Sequence, residues 1–233
     1  MISLSAVIIT HNEEKNIARC LTSVRGLADE IVVVDSFSND KTREICGAFN
    51  VKFVQHAFEG HIQQKNHAIK QAGSPYVLSL DADEALSEEL KESINKVKTA
   101  WHHDGYSMNR LTNYCGNWIH HCGWYPDRKT RLFDSRKGAW SGVNPHDRYE
   151  LTDPLSQVGF LKGDILHFSY YTVSDHIRQV DYFTGISARH LHDEGKNVSI
   201  GRMLLAPLVR FLRDYFFKLG ILDGSAGLVV CTI

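Results

Sequence analysis

Two aspartates, Asp81 and Asp83, stand either side of Ala82, directly after the apolar run Val77-Leu78-Ser79-Leu80. On a helix, carboxylates at i and i+2 splay apart. At a strand end or turn they can reach one ligand, and hard oxygen donors suit Mg²⁺ or Mn²⁺. The plainer reading is an acidic, solvated turn ahead of a helix near residue 88. Two further polar clusters follow apolar runs in the same way. Thr10-His11-Asn12-Glu13 follows 4–9, and Asp35-Ser36-Phe37-Ser38-Asn39-Asp40 follows 31–34. Asn12 or Asp40 alone is as readily a helix cap. If the apolar runs are parallel strands, however, all three clusters meet at one edge. That edge, outside the carboxyl ends of the strands, is where open α/β sheets bind ligands.

Histidine and cysteine offer a second chemistry. The chain has 13 His and 5 Cys, among them the string Cys115-x4-His120-His121-Cys122. Zinc is one reading, but adjacent ligands and short spacings depart from finger geometry. A histidine-rich polar loop is the other. The odd cysteine number and the absence of a CxxC pair suit reduced thiols. The start of the chain lacks a basic n-region and a small-residue cleavage site, so a secretory signal is not expected there.

The elements that must position these residues are legible in the periodicity. Apolar, β-branched runs at 4–9, 31–34, 51–54 and 76–80 predict buried strands. Stretches at 13–24, 41–49, 62–72 and 88–98 predict helices. The first carries Ile17, Cys20, Leu21 and Val24 at helical spacing. Ile62, Ile69 and Ala72 would form the inner side of the third. Ser87 is the expected N-cap of the fourth, with Glu88 and Glu89 in its first turn. This alternation predicts βαβ units and a mainly parallel, Rossmann-like sheet flanked by helices. Beyond residue 100 the chain turns rich in Trp, Tyr, His, Gly and Arg. Short strands are expected at 105–109, 129–133 and 158–166, and a helix at 172–194. This part reads as an elaboration of the same sheet.

Composition sets the outer limits. Of 233 residues, 43% are hydrophobic and 23% charged, enough for a sizeable core. Lys plus Arg is 26 and Asp plus Glu is 27, for a formal net charge of -1, which argues against a dedicated nucleic-acid binder. No run reaches the ~18 apolar residues that a bilayer span needs. Neither a P-loop lysine motif nor GxGxxG is present, which disfavours ordinary NTPase and dinucleotide readings. A sugar-nucleotidyltransferase would carry a Gly-rich basic loop after its first strand, and 10–18 has none.

Longer strings carry a resemblance. VIITHNEEKNIARCLTSV at 7–24, EIVVVDSFSNDKT at 30–42, QQKNHAI at 63–69 and YVLSLDADEALSEEL at 76–90 resemble family 2 glycosyltransferases of the GT-A fold. GWYPDRKTRLF at 123–133, PHDR at 145–148, LKGDILHFSY at 161–170 and LGILDGSAGL at 219–228 narrow it. They resemble bacterial lipopolysaccharide core glycosyltransferases of the WaaE type. The resemblance implies a nucleotide-sugar-binding half at 1–100, an acceptor-binding and catalytic half of the same domain at 101–198, and an amphipathic C-terminal segment at 199–233. Relatives of this type usually continue a short way further.

The resemblance also implies roles. The reaction would be an inverting transfer from a nucleotide-diphosphate sugar to a hydroxyl, with a UDP-hexose, UDP-glucose first, as donor. Thr10, Asn12, Glu13 and Asp35 would contact base and ribose. Lys65 would lie near the nucleotide, and Asp81 near the ribose or donor sugar. Asp83 would hold Mg²⁺ or Mn²⁺ against the diphosphate. Asp147 is the general-base candidate, where the subgroup commonly has Glu; Asp127 and Glu150 are rivals. His167 would be a further metal ligand, or else a core histidine bonded to backbone. Arg131 would contact the diphosphate, or else form a structural ion pair. Trp124 and Tyr125 are the acceptor-side candidates, within an aromatic set that includes Trp118 and Trp140. Flat rings suit sugar stacking and ordinary packing alike.

The stretch 203–219 is amphipathic. Arg210, Asp214 and Lys218 lie at i, i+4 and i+8, with leucines, Tyr215 and Phe216 around the other side. Such a helix can lie in a membrane interface or pack on the domain. A lipid-linked glycan acceptor at the cytoplasmic face of the inner membrane, with peripheral association, is what the resemblance implies. The rival readings are a polyprenyl-phosphate or protein acceptor, and a non-catalytic nucleotide-sugar-binding scaffold.

Overall fold

A computed structural model describes residues 1–143, 146–193, 195 and 199–233. The alternating pattern of the first half yields β1 (Leu4–Thr10), α1 (Ile17–Val24), β2 (Glu30–Asp35), α2 (Thr42–Gly47), β3 (Lys52–Gln55) and α3 (His61–Gln71). β4 (Tyr76–Asp81), β5 (Glu84–Leu86) and α4 (Glu88–Thr99) follow. The second half supplies β6 (Gly105–Tyr114), β7 (Asn117–Ile119), β8 (Asp127–Asp134), β9 (Gly138–Val143), β10 (His146–Leu151) and β11 (Val158–Tyr170). Three helices close the chain: α5 (Val173–Asp193), α6 (Ile200–Leu212) and α7 (Gly224–Thr232).

The fold is α/β, built on a large sheet of order β3-β2-β1-β4-β8-β6-β11-β5, with β7 on β6. β3, β2, β1 and β4 pair in parallel. β8 joins β4 antiparallel, Leu78 opposite Leu132, and β5 joins β11 antiparallel. β9 and β10 form a separate antiparallel hairpin.

The chain divides into two compact units, Met1–Arg110 with Arg128–His167, and Leu111–Asp127 with Phe168–Ile233. The units interleave along the sequence. In the first unit, Leu4, Ala6 and Ile8 pack with Leu78 and Leu80 against α1 and α4. Val7 and Ile9 face the other way with Val32, Val34 and Val77, meeting Ala68 of α3 and Phe133, Trp140 and Tyr149. Successive side chains alternate faces, and both faces are covered. That is why these strands read as unbroken apolar runs.

The second unit has its own small core of Tyr114, Ile119, Cys122, Ala226 and Val230. Here the Cys115–Cys122 string does structural work. Asp223 accepts from the backbone N–H of His120 and His121, from the His121 ring at 2.8 Å and from the Cys122 thiol, and so ties that loop to the start of α7.

Several elements differ from expectation. α1 starts at Ile17 because 13–16 is a turn, closed by the Asn16 N–H on the Glu13 carbonyl. α3 buries Gln64, Lys65 and Ala68 rather than an all-apolar face. Ser87 does cap α4, accepting from the Leu90 N–H. α5 ends at Asp193, and Glu194, where its end was expected, lies outside the described residues. The 203–219 stretch is not one helix. α6 ends at Leu212, and a wider π-turn follows at Arg213–Phe217.

Candidate active site

All three polar clusters lie at the carboxyl ends of β1, β2 and β4. The loops after β1 and β2 are woven together. The Asn12 side chain, on backbone at φ +55, accepts from the Asn39 N–H at 2.9 Å. The Asn12 N–H donates to Ser38 Oγ. Asn12 therefore ties two loops and caps no helix. Asp40 does cap, accepting from the Thr42 N–H at the start of α2. Asp35, fully buried, accepts from Ser38 and from Gln55. Thr10 Oγ1 is buried with no hydrogen-bond partner among the described residues. Such a group at a strand end is an available ligand contact. Glu13 is partly buried, and its carboxyl is pushed up to about 7 by that burial and by Asp83 nearby, against a hydrogen bond from Asn16.

Asp81 and Asp83 do not share one ligand. Asp81, the last residue of β4, lies 3.1 Å from Lys65 Nζ and 3.1 Å from Arg131 Nη2. Burial alone would raise its carboxyl, but these two cations hold it far below the usual range. Lys65 is 2% exposed and bridges two carboxylates, donating to Asp147 Oδ2 at 2.7 Å. A buried ammonium is costly unless paired, and this one is paired twice. Its Nζ also stands 4.5 Å from the centroid of Trp140, over whose ring Arg131 lies at 5.3 Å. The Trp140 ring is thus a seat for buried cations, not an open platform for a sugar. Arg131 donates to Glu84 at 2.9 Å, and Glu84 accepts the Asp81 N–H.

Asp83 meets His167 instead, with Nε2 3.2 Å from Oδ2. Burial would raise Asp83, and the imidazole beside it reverses this, leaving its carboxyl below the usual range. One carboxylate and one imidazole suit a divalent cation of the Mg²⁺ or Mn²⁺ kind. Among the described residues, no group of three or more His, Cys, Asp or Glu converges to cage a metal. A cation here would take its other oxygens from water and a phosphate-bearing substrate, as Mg²⁺ commonly does.

A cleft of about 550 Å³ opens over this network. Its lining includes Lys65, Arg110, Arg128, Lys129, Arg131 and Arg148, against the carboxylates of Asp81 and Asp147. Asp147 comes from the β9–β10 hairpin, held onto α3 by Asn66, which exchanges hydrogen bonds with the Trp140 backbone. The rival base Glu150 is instead bound to Ser141 and Arg148. Asp127 belongs to the second unit.

Thr10, Asn12, Glu13, Asp35, Lys65, Asp81, Asp83, Asp147 and His167 all fall in the first unit. Trp124 and Tyr125 fall in the second. There Trp124 packs on Tyr114, Tyr170 and His176, Tyr125 on His120, and Trp118 on Phe168. Glu84 closes the polar cluster after the fourth strand in the sequence, but its pairing with Arg131 and the Asp81 N–H gives it a place in this network that the sequence reading did not assign. It extends Asp81-Ala82-Asp83 by one, and a buried glutamate after a strand has to be paired.

A carboxylate edge over a parallel sheet, with a paired buried lysine and a polar cleft, fits an α/β transferase of the GT-A fold. Residues 5–148 match the family model described as Glycosyl transferase family 2, and the chain belongs to that family. It is a glycosyltransferase. A Rickettsia prowazekii protein named "Uncharacterized glycosyltransferase RP128" is 27% identical over 98% of this chain and 82% of its own length. The Rhizobium meliloti "Lipopolysaccharide core biosynthesis glycosyltransferase LpsC" is 28% identical over 91% of this chain and 80% of its own. In fold, the chain is similar to S. aureus TarS 1–349, with a TM-score of 0.50 at 14% identity over 99% of this chain and 89% of that one.

Proposed function

We propose that this glycosyltransferase is inverting and metal-dependent. It moves a hexose from a UDP-sugar, UDP-glucose first, onto a lipid-linked lipopolysaccharide or lipooligosaccharide core acceptor. The observation that carries the reading is the Asp147–Lys65–Asp81 bridge beside the Asp83–His167 pair, at the carboxyl edge of the parallel strands. The similarity to LpsC supports the acceptor class.

In this reading Asp35, Thr10 and the Asn12–Glu13 loop receive base and ribose. Asp83 and His167 hold Mg²⁺ or Mn²⁺, which when bound supplies Lewis-acid neutralisation of the diphosphate. Asp147 takes the proton of the acceptor hydroxyl as its oxygen attacks the anomeric carbon. The bond from that carbon to the diphosphate breaks on the opposite face, and the configuration inverts. Lys65 positions Asp81 and Asp147, and together with Arg131 it keeps Asp81 ionised.

The cytoplasmic face of the inner membrane is the proposed location. Among the described residues no single helix is long and apolar enough to cross a membrane, although Ile200–Phe217 and Gly220–Thr232 pass by length and composition as a pair bent by 74°. α6 buries none of its residues, and Met203, Leu204, Leu205, Leu208 and Val209 are each more than half exposed. Arg202 and Arg210 flank that apolar surface. An interfacial helix has this composition.

The test is Asp147→Asn with a UDP-sugar and core acceptor. Turnover should fall by about 10²–10⁴ while donor affinity changes by less than about threefold. NMR of the wild-type product should show the inverted anomer. Comparable turnover in the variant, or retained configuration, contradicts the reading.

A further inference from the structure

The cleft carries more positive charge than its carboxylates balance. Lys65 and Arg131 are engaged with Asp81, Asp147 and Glu84. Arg110, Arg128, Lys129 and Arg148 line the same cleft. Arg110 stands 3.8 Å from Glu84, and Arg148 pairs with Glu150. With Glu84, Glu150 and Asp83, whose charge acts on Arg110, added to the count, six cations still stand against five carboxylates, in a chain of formal net charge -1. A cleft lined by one sign concentrates ligands of the other.

The position of this charge decides what it is for. The loops proposed to take base and ribose follow β1 and β2. Arg128 and Lys129 lie on β8 and Arg148 on β10, next to Asp147 itself. The antiparallel register, Tyr76 opposite Asp134 and Leu78 opposite Leu132, runs Arg131, Lys129 and Arg128 toward the Asp81 end of β4. In the sheet order β8 lies on the side of β4 away from β1 and β2, so Arg128 and Lys129, with Arg148 beside Asp147, stand away from the base-and-ribose loops, on the side where this reading brings the acceptor. Arg128 keeps its guanidinium at the cleft by resting over the Phe160 ring, 4.5 Å from its centroid. Guanidinium groups suit the planar, multidentate recognition of phosphate and carboxylate.

We infer that Arg110, Arg128, Lys129 and Arg148 form an anion subsite for the acceptor, so that the sugar accepting the hexose bears a phosphate or carboxylate near the reacting hydroxyl. The inference rests on the donor reading above.

The test is calorimetric titration of the full chain, first with UDP and Mn²⁺, then, at saturating UDP and Mn²⁺, with glucose 6-phosphate, glucuronate or methyl glucoside. One or both anionic sugars should bind at least ~10-fold more tightly than the neutral one, and the preference should shrink as salt rises. Which of the two wins identifies phosphate or carboxylate. Arg128→Gln with Lys129→Gln should weaken the preferred anion by at least ~5-fold while UDP affinity stays within about twofold, which also reports that the variant is folded. Arg148→Gln alone should act in the same direction. Equal affinity for charged and neutral sugars, or no detectable binding of either anion, overturns the inference with the donor reading intact. So does a parallel loss of UDP affinity in the variants, since the wall then serves the donor diphosphate. Failure of the wild type to bind UDP overturns the donor reading and the subsite with it.

Discussion

Asp81 and Asp83 are two residues apart and face different partners. One is neutralised by Lys65 and Arg131, the other by His167. A D-x-D string reveals that chemistry is present, but not this division of labour, because the partners come from 16, 50 and 84 positions away in sequence. Lys65 could be picked out from its sequence string as a candidate, whereas its bond to Asp147 could not. Glu84 was legible as part of the polar cluster after β4 but not as a buried partner of Arg131, since nothing local marks a glutamate as buried. Glu13 provides a pH signature. Its carboxyl is raised from 4.5 to about 7 in the folded protein. Between these values the folded state holds the proton more firmly than the unfolded chain, so this group makes stability fall as pH rises through the window. Glu13→Gln removes the titration and keeps an oxygen for Asn16. In metal-free buffer, its Tm relative to wild type should climb between pH 4.5 and pH 8. A pH-independent Tm difference would contradict the raised carboxyl.

Elements whose pattern is purely hydrophobic were readable: β1, β2, β4 and α4 fall close to their predicted spans. The β9–β10 hairpin was not, because its residues are mixed in polarity and its position depends on Asn66 of α3. Yet that hairpin delivers both Trp140 and Asp147. The close packing of β11 on α4 rests on one residue. Gly163 has φ +90, and a Cβ there would lie 2.3 Å from the Leu90 backbone nitrogen. Gly163→Ala should cost roughly 2–4 kcal/mol, from backbone strain plus forced displacement of α4. Gly47→Ala, with open space around it, should be near neutral or stabilising in a chemical-denaturation series. Equal effects would contradict the close approach. α6 makes its own prediction. The chain should co-sediment with vesicles containing anionic phospholipid and detach at high salt, and Leu204→Glu with Leu208→Glu should abolish binding without changing UDP affinity. Undiminished binding by that variant would remove α6 from the membrane contact.

At the scale of the whole molecule, the fold class followed from strand–helix alternation alone, and the family from longer strings spread along the chain. Two compact units were not foreseeable, because strands β6 and β11 carry the chain from one to the other without any break in composition. Charge balance misled in one respect. A net charge of -1 conceals a cleft whose lining counts six Arg and Lys side chains against two Asp. The proposal that unites the candidate residues is a metal-assisted nucleotide-sugar site at the carboxyl edge of the first unit. Thermal melts against UDP-, GDP-, ADP- and CMP-sugars, each with and without Mn²⁺, test this most directly. Ligand at 100 times its Kd should add about 2.7 kcal/mol. A rise in Tm with one nucleotide class, dependent on Mn²⁺ and lost in Asp83→Asn, is the expected result. Well-folded protein whose Tm moves with no donor, or moves equally with and without metal in both wild type and Asp83→Asn, would contradict it.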